Sequence, residues 1–313
     1  MFPRLDRYRF FFGKGMCSDD TDHACMLAQA LASSAGNPRR FASSLGWRLR
    51  FWLLGLPAGV GFATLRSILK LWLFFPPQFS GVRSAGNGPA MRSALLGVCF
   101  ANDDAGLIQH VAANTGITHR DPRADCGALA VALAARSSMG GESPAEYLAH
   151  LRRFLAPLGA SGNELVALAE RAAAHAARRE PTASFADSIG CARGVSGYMY
   201  HTVPVALHAW FSSPRDFPAA VTTVIRCGGD TDTIAAITGA IVGAGVGKAG
   251  IPQRWLANLW DWPRGVRWIE RAAEGAVRGE RPLFIAPWSL LARNFGFLLL
   301  VLAHGFRRLA PPY

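Results

Sequence analysis

The sequence predicts an all-α protein, on three observations. Alanine is abundant while β-branched runs are short and scattered. Apolar residues recur at three- and four-residue spacing, as in Ala124–Ala135 and Leu165–Ala177, the period of a helix face. Half of the 313 residues are apolar and only 17% are charged, so a sizeable core is expected rather than disorder.

Taken in order, Met1–Gly15 is basic and aromatic with no clear period. Ser18–Asp22 can cap a helix running to about Ser34, in which Met26, Leu27, Ala30 and Leu31 form one apolar stripe. Phe41–Phe75 holds one or two apolar helices broken near Gly55–Gly61. Pro76–Gly88 is a loop, broken by Pro76-Pro77, Gly81 and Gly86-Asn87-Gly88. A helix from Pro89 to Phe100 places proline in its first turn. Helices follow from Asn102–Asp104 to Gly116, over Asp121–Ser138, Pro144–Leu155 and Ser161–Arg179, with a turn at Thr118–Pro122. Glu180–Ser196 reads as a linker-like loop and Gly197–Phe211 as a helix interrupted by Pro204. Ile234–Val246 is an apolar helix with Gly239, Gly243 and Gly247 at every fourth position, a spacing that lets another helix approach closely at the centre of a bundle. The expected division is a helical domain over 1–280 and an apolar, basic tail helix over 281–313.

The formal charge is +12. Its arginines are spread along the chain, from Arg4, Arg7 and Arg9 through Arg152 and Arg153 to Arg307 and Arg308. None sits in an aromatic-interleaved motif, so no nucleic-acid partner is implied. A solvated basic surface is the simple reading, and attraction of a phosphate-bearing substrate is the alternative. Six widely spaced cysteines without a CxxC pair, and no signal peptide, suit reduced thiols in the cytoplasm. Phe51–Leu65 and Phe295–Ala303 are uncharged but shorter than the ~20 residues of a spanning helix. Both are expected to be buried helices. The basic flanks of Phe284–Tyr313 also suit weak, shallow association with an anionic membrane.

Two acidic clusters carry the chemistry. Ser18-Asp19-Asp20 and Asp230-Thr231-Asp232-Thr233 each pack hard oxygen ligands into a few residues at a helix start, about two hundred residues apart. Asp230 and Asp232, at i and i+2, share a side of an extended backbone, and Gly228-Gly229 allow unusual angles before them. Each cluster alone could be a helix cap. Together they suit one or two hard divalent cations, because adjacent carboxylates repel unless neutralised. Cys17 and Cys227 lie nearby, but the carboxylates and hydroxyls point to magnesium or manganese rather than zinc. Gly86-Asn87-Gly88, followed by Met91 and Arg92, opens a helix whose backbone N–H groups could cradle phosphate, or is a plain turn. His119 lies in a turn beside Asp121 and Pro122.

In order, Ser18–Thr21, Gly86–Arg92, Thr118–His119, Gly197–Leu207 and Gly228–Ala240 resemble the ADP-ribosylglycohydrolase family, over about residues 17–262. The last segment, continued by Ile251–Trp255, is the most specific. The resemblance implies a single-domain orthogonal helical bundle, acting as a monomer, around a site for two Mg2+ or Mn2+ ions. It implies hydrolysis of the glycosidic bond joining ADP-ribose to a protein side chain or related acceptor. Carried over by position, Ser18, Asp19, Asp20, Asp230, Asp232 and Thr233 become metal ligands. Asn87, Gly88, Arg92, His119 and Tyr198 become substrate-binding residues. Asp20, with Asp230, becomes the catalytic carboxylate that takes a proton from water. Members usually begin with a helix carrying a G-D-A-x-G-x-x-x-E motif, and residues 1–17 carry neither that motif nor a glutamate. Three readings follow: a coding start placed downstream of the motif, a different base, or a protein that binds ADP-ribose without cutting it.

Overall fold

A computed structural model describes residues 13–57 and 59–309. Arg4, Arg7, Arg9, the side chains of Arg307 and Arg308, and the last four residues of the tail lie outside the described residues. Sixteen α-helices follow one another among them: α1 Asp19–Ser34, α2 Pro38–Leu54, α3 Phe62–Trp72, α4 Pro77–Ser80, α5 Ala94–Cys99, α6 Asp104–Gly116, α7 Pro122–Gly140 and α8 Pro144–Leu155. Then come α9 Gly159–Ala177, α10 Thr182–Ser188, α11 Met199–Ser212, α12 Phe217–Arg226, α13 Thr231–Val246, α14 Gln253–Asn258, α15 Val266–Arg278 and α16 Pro287–Leu309. The all-α class is as the sequence reads.

The core forms around α7, an alanine-rich helix buried on nearly every side, so its neighbours approach closely. A Cβ added at Gly97 of α5 would lie 1.8 Å from the Ala132 carbonyl oxygen of α7. One added at Gly245 of α13 would lie 2.6 Å from Ser138 Oγ of the same helix. The Gly239–Gly243 stripe does something else: both glycines face the Phe217 ring of α12, and Gly247 lies beyond the helix end with φ 64°. The close helix approach therefore runs through Gly245, not through the predicted stripe.

Three further expectations are corrected. Glu180–Ser196 contains α10, which Phe185 and Ala186 bury against the core. Pro204 does not interrupt α11. The third correction concerns the two uncharged stretches, which are not buried. Phe51, Leu54 and Phe62 are exposed, as are Phe295, Leu299 and Leu302 on α16. The reason is that α16 docks by its polar side. Buried Arg293 pairs with Asp261 at 2.6 Å, and Asn294 Nδ2 donates to the Gly55 carbonyl at 2.7 Å.

Candidate active site

The site is assembled by loops pinned in pairs. Isolated bridges join Val82 to His119, Gly86 to Tyr198, and Val195 to Gly229. The Asn87 N–H donates to the Gly197 carbonyl, and the Asp230 N–H to the Val195 carbonyl at 2.7 Å. Only glycine suits position 229: its φ is +81°, and a Cβ would meet the Val195 carbonyl oxygen at 2.1 Å. Thus the loop before α13 runs flush against residues 194–195 and delivers Asp230 to the same place as Asn87.

The two acidic clusters meet there. One carboxylate oxygen each from Asp19, Asp20 and Asp232 lie within 4.8 Å of one another. Neither cluster is serving as a cap. Ser18 and Asp230 occupy the N-cap positions of α1 and α13, yet neither side chain accepts a capping hydrogen bond. Instead Ser18 Oγ donates to Asp20 Oδ2 at 2.7 Å. Asn87 Nδ2 donates to Asp230 Oδ2 at 2.7 Å and to Thr202 Oγ1 at 3.1 Å. Asp22 turns away, held by Trp52 Nε1 and Arg264.

The electrostatics are those of a cation site. Burial, then Asp20 and Asp232, push the Asp19 carboxyl up to about 7. Burial pushes Asp20 up to about 6; Asp232 and Asp230 add to it, while the Ser18 and Thr233 hydroxyls oppose it. Asp232 is raised as well, by burial first and then by Asp230. Asp20 Oδ1 is buried with no hydrogen-bond partner. An orphaned carboxylate oxygen among mutually repelling carboxylates and two hydroxyls is the donor set a hard divalent cation takes. The residues therefore fit a hard divalent cation.

A cavity of about 450 Å³ opens over this cluster, lined by Asp19, Asp230, Asp232, Thr233, Asn87, Gly88, His119 and the Gly59–Thr64 segment. That volume lies in the range of small-ligand sites. His119 fills the space behind the glycine loop: a Cβ at Gly88 would lie 3.1 Å from its Cε1. Burial, then Arg92, lower His119 to about 3, so its ring is neutral. Thr118 Oγ1 accepts from Arg92 at 2.8 Å and lies 2.9 Å from His119 Nδ1. We assign the Thr118 proton to that second contact, which leaves the ring proton on His119 Nε2, facing the glycine loop. Tyr198 is half-buried beside His201 and outside the cavity lining. Arg92 is fully buried, donating to Asn114 and Thr118 and lying 2.9 Å from His23 Nδ1. Its guanidinium supports the loop from behind, and it is the neighbouring Met91 that lines the cavity.

The family model for ADP-ribosylglycohydrolase matches residues 2–283. The chain belongs to the ADP-ribosylglycohydrolase family. An uncharacterised protein of Archaeoglobus fulgidus is 30% identical over 79% of this chain and 76% of its own length. The ADP-ribosyl-[dinitrogen reductase] glycohydrolase of Rhodospirillum rubrum is 26% identical over 78% of this chain and 74% of its own. A solved ADP-ribosylglycohydrolase-related protein complex superposes with TM-score 0.62 at 26% identity, covering 84% of this chain and 81% of that one. Family membership supports hydrolysis of ADP-ribose linkages and dependence on a metal.

Sequence reasoning missed the frame that holds the first cluster. The Cys17 N–H donates to Asp261 Oδ2 at 2.8 Å, and Arg293 donates to the Cys17 carbonyl at 2.6 Å. These partners lie more than 240 residues from Cys17, and no local pattern marks them. It also missed Gly59–Thr64 as a cavity wall, because that segment carries no chemistry-bearing motif.

Proposed function

We propose that this protein hydrolyses the glycosidic bond between ADP-ribose and a modified protein side chain or related small acceptor, in the cavity above Asp19, Asp20 and Asp232. The observation that carries it is the convergence of two acidic helix starts whose N-cap side chains, Ser18 and Asp230, make no capping hydrogen bond, while Asp20 keeps a buried oxygen without a partner. Asp19, Asp20, Asp230 and Asp232, with the Ser18 and Thr233 hydroxyls, would hold two Mg2+ or Mn2+ ions. When bound, such ions supply neutralising charge, a seat for the ribose hydroxyls and an acidified water.

The chain's own residues do the rest. Asn87 fixes the Asp230 carboxylate through its Nδ2 donor, so the second cluster is oriented before substrate arrives. Asp20 takes the proton of the attacking water as the water oxygen bonds to the anomeric carbon and the glycosidic bond breaks, and that proton then passes to the departing acceptor. Neutral His119 holds the Gly86–Gly88 turn in place beside the cavity, where the Asn87 N–H is already bonded to the Gly197 carbonyl and the Gly86 N–H to Ser84 Oγ.

A second reading keeps binding without turnover. It is favoured by one observation: among the described residues no glutamate lines the cavity, so the proton has only aspartates to go to. Arginine- and serine-linked ADP-ribosyl peptides, incubated with the protein and magnesium, separate the two. Release of free ADP-ribose, reduced at least about a hundredfold in Asp232→Ala, is expected. Magnesium-dependent binding of ADP-ribose without release would establish the second reading instead.

A further inference from the structure

Helix α16 is amphipathic in the wrong sense for a soluble protein. Its polar residues Ser289, Arg293 and Asn294 are all less than 10% exposed. Its apolar residues Trp288, Leu291, Phe295, Leu299, Leu302 and Phe306 are all more than 40% exposed. Their spacings of three, four, four, three and four residues place all six in one narrow stripe, about 27 Å long at 1.5 Å per residue. No described helix is long and apolar enough to cross a membrane, and α16 is pinned on its other side by Asp261 and by the Gly55 carbonyl.

A second exposed stripe lies alongside. On α3 and its C-cap, Phe62, Leu69 and Leu73 are seven and four residues apart and therefore share a face, all more than half exposed. On α2, Phe51 and Leu54 are exposed, and the Phe51 ring meets Trp72 at the end of α3. The two regions are continuous. Phe51 and Leu54 from α2 and Trp288 and Leu291 from α16 line one largely apolar cavity of about 620 Å³.

The charge says what covers this face. From His23 to Asn102 the chain has eight arginines and lysines and no acid, and from Arg281 to Tyr313 it has four and no acid. Together these twelve equal the whole net charge of +12, so the rest of the chain is neutral. Arg50, Arg92 and Arg293 are buried, and the other nine leave the two segments that expose apolar helices basic and free of acid. A second copy of the same face would bring like charge against like charge. An anionic bilayer satisfies both the apolar stripes and the basic excess.

We propose that the face formed by α16 and the α2–α3 pair docks on an anionic lipid bilayer, with the apolar stripes lying in the interface. Phe62 belongs both to this face and to the wall of the active-site cavity, so docking sets the cavity mouth beside the lipid surface. The proposal is independent of the proposed catalysis.

Sedimentation of the full chain with vesicles tests it. Binding to vesicles of phosphatidylcholine with phosphatidylglycerol should exceed binding to phosphatidylcholine alone by at least about tenfold and weaken with added salt. The variant Phe295→Ser/Leu299→Ser/Leu302→Ser should lose it while keeping the wild-type far-ultraviolet dichroism, and Phe62→Ser/Leu73→Ser should weaken it through a different helix. Absence of binding to either vesicle would overturn the proposal. So would binding that the substitutions leave unchanged, or a stripe-dependent dimer in analytical ultracentrifugation that stays off vesicles.

Discussion

At the residue scale, Ser18 and Asp230 show how position and role part company. Each is the residue type that a helix start prefers, and capping would satisfy backbone N–H groups there. Instead Ser18 donates to Asp20 of its own cluster, and Asp230 accepts from Asn87. Arg92 shows the converse. In the sequence it follows the glycine loop closely enough to look like a phosphate ligand. Ala90–Arg92 form a 3-10 turn, which rotates successive side chains by about 120°, so Met91 faces the cavity and Arg92 faces the core. A carboxylate outside the site gives a pH prediction. Burial chiefly, with Asp121 adding, raises Asp125 from 3.8 to about 6, while Thr115 opposes. A raised carboxylate means that the folded state holds its proton more tightly than the unfolded state. Stability should therefore fall as pH rises from about 4 to about 6 and stay lower above it, by at most about 3 kcal/mol at about 1.4 kcal/mol per unit. Asp125→Asn should remove that slope in urea titrations, and an unchanged slope would assign it elsewhere.

At the element scale, α1 and α13 were legible, because a cap residue, an apolar period and a glycine turn lie within a few residues of each start. Helix α10 was not, since its seven residues give too few turns for a period to show. The orientation of α16 was also hidden. Its apolar stripe was visible, but burial depends on which neighbour offers a partner, and Asp261 and Gly55 offer polar ones. Arg293 ties this helix to Cys17, the residue just before the first cluster. Its side chain and that of Asp261 are both buried, so Arg293→Ala leaves an unpaired buried carboxylate. Thermal and chemical denaturation should show a loss of about 3–5 kcal/mol, and Arg293→Lys should recover part of it.

At the scale of the whole molecule, the fold brings the start of α1 and the start of α13 together across more than two hundred residues. A cation bound between them would be a staple present only in the folded chain, since the unfolded chain holds the two clusters apart. Magnesium or manganese should therefore raise the melting temperature, by the equivalent of about 2.7 kcal/mol at a hundredfold excess over Kd. Scanning calorimetry with and without chelator reads this directly. Asp232→Ala should abolish the response, and an equal response in that variant would place the cation elsewhere.

The sequence by itself determined the helical class, the bounds of α1, α6, α7, α8, α9, α11 and α13 to within a few residues, the family and the residues of both acidic clusters. These follow from local period, turn chemistry and motif order, which act over a few residues at a time. Tertiary structure alone decided that the clusters converge, that Arg92 supports the loop rather than lining the cavity, and that α16 turns its apolar side outward. Each of those depends on a partner far along the chain: Asp20 with Asp232, Arg92 with Asn114, and Arg293 with Asp261. Such pairings are set by tertiary packing, which is a property of the folded whole.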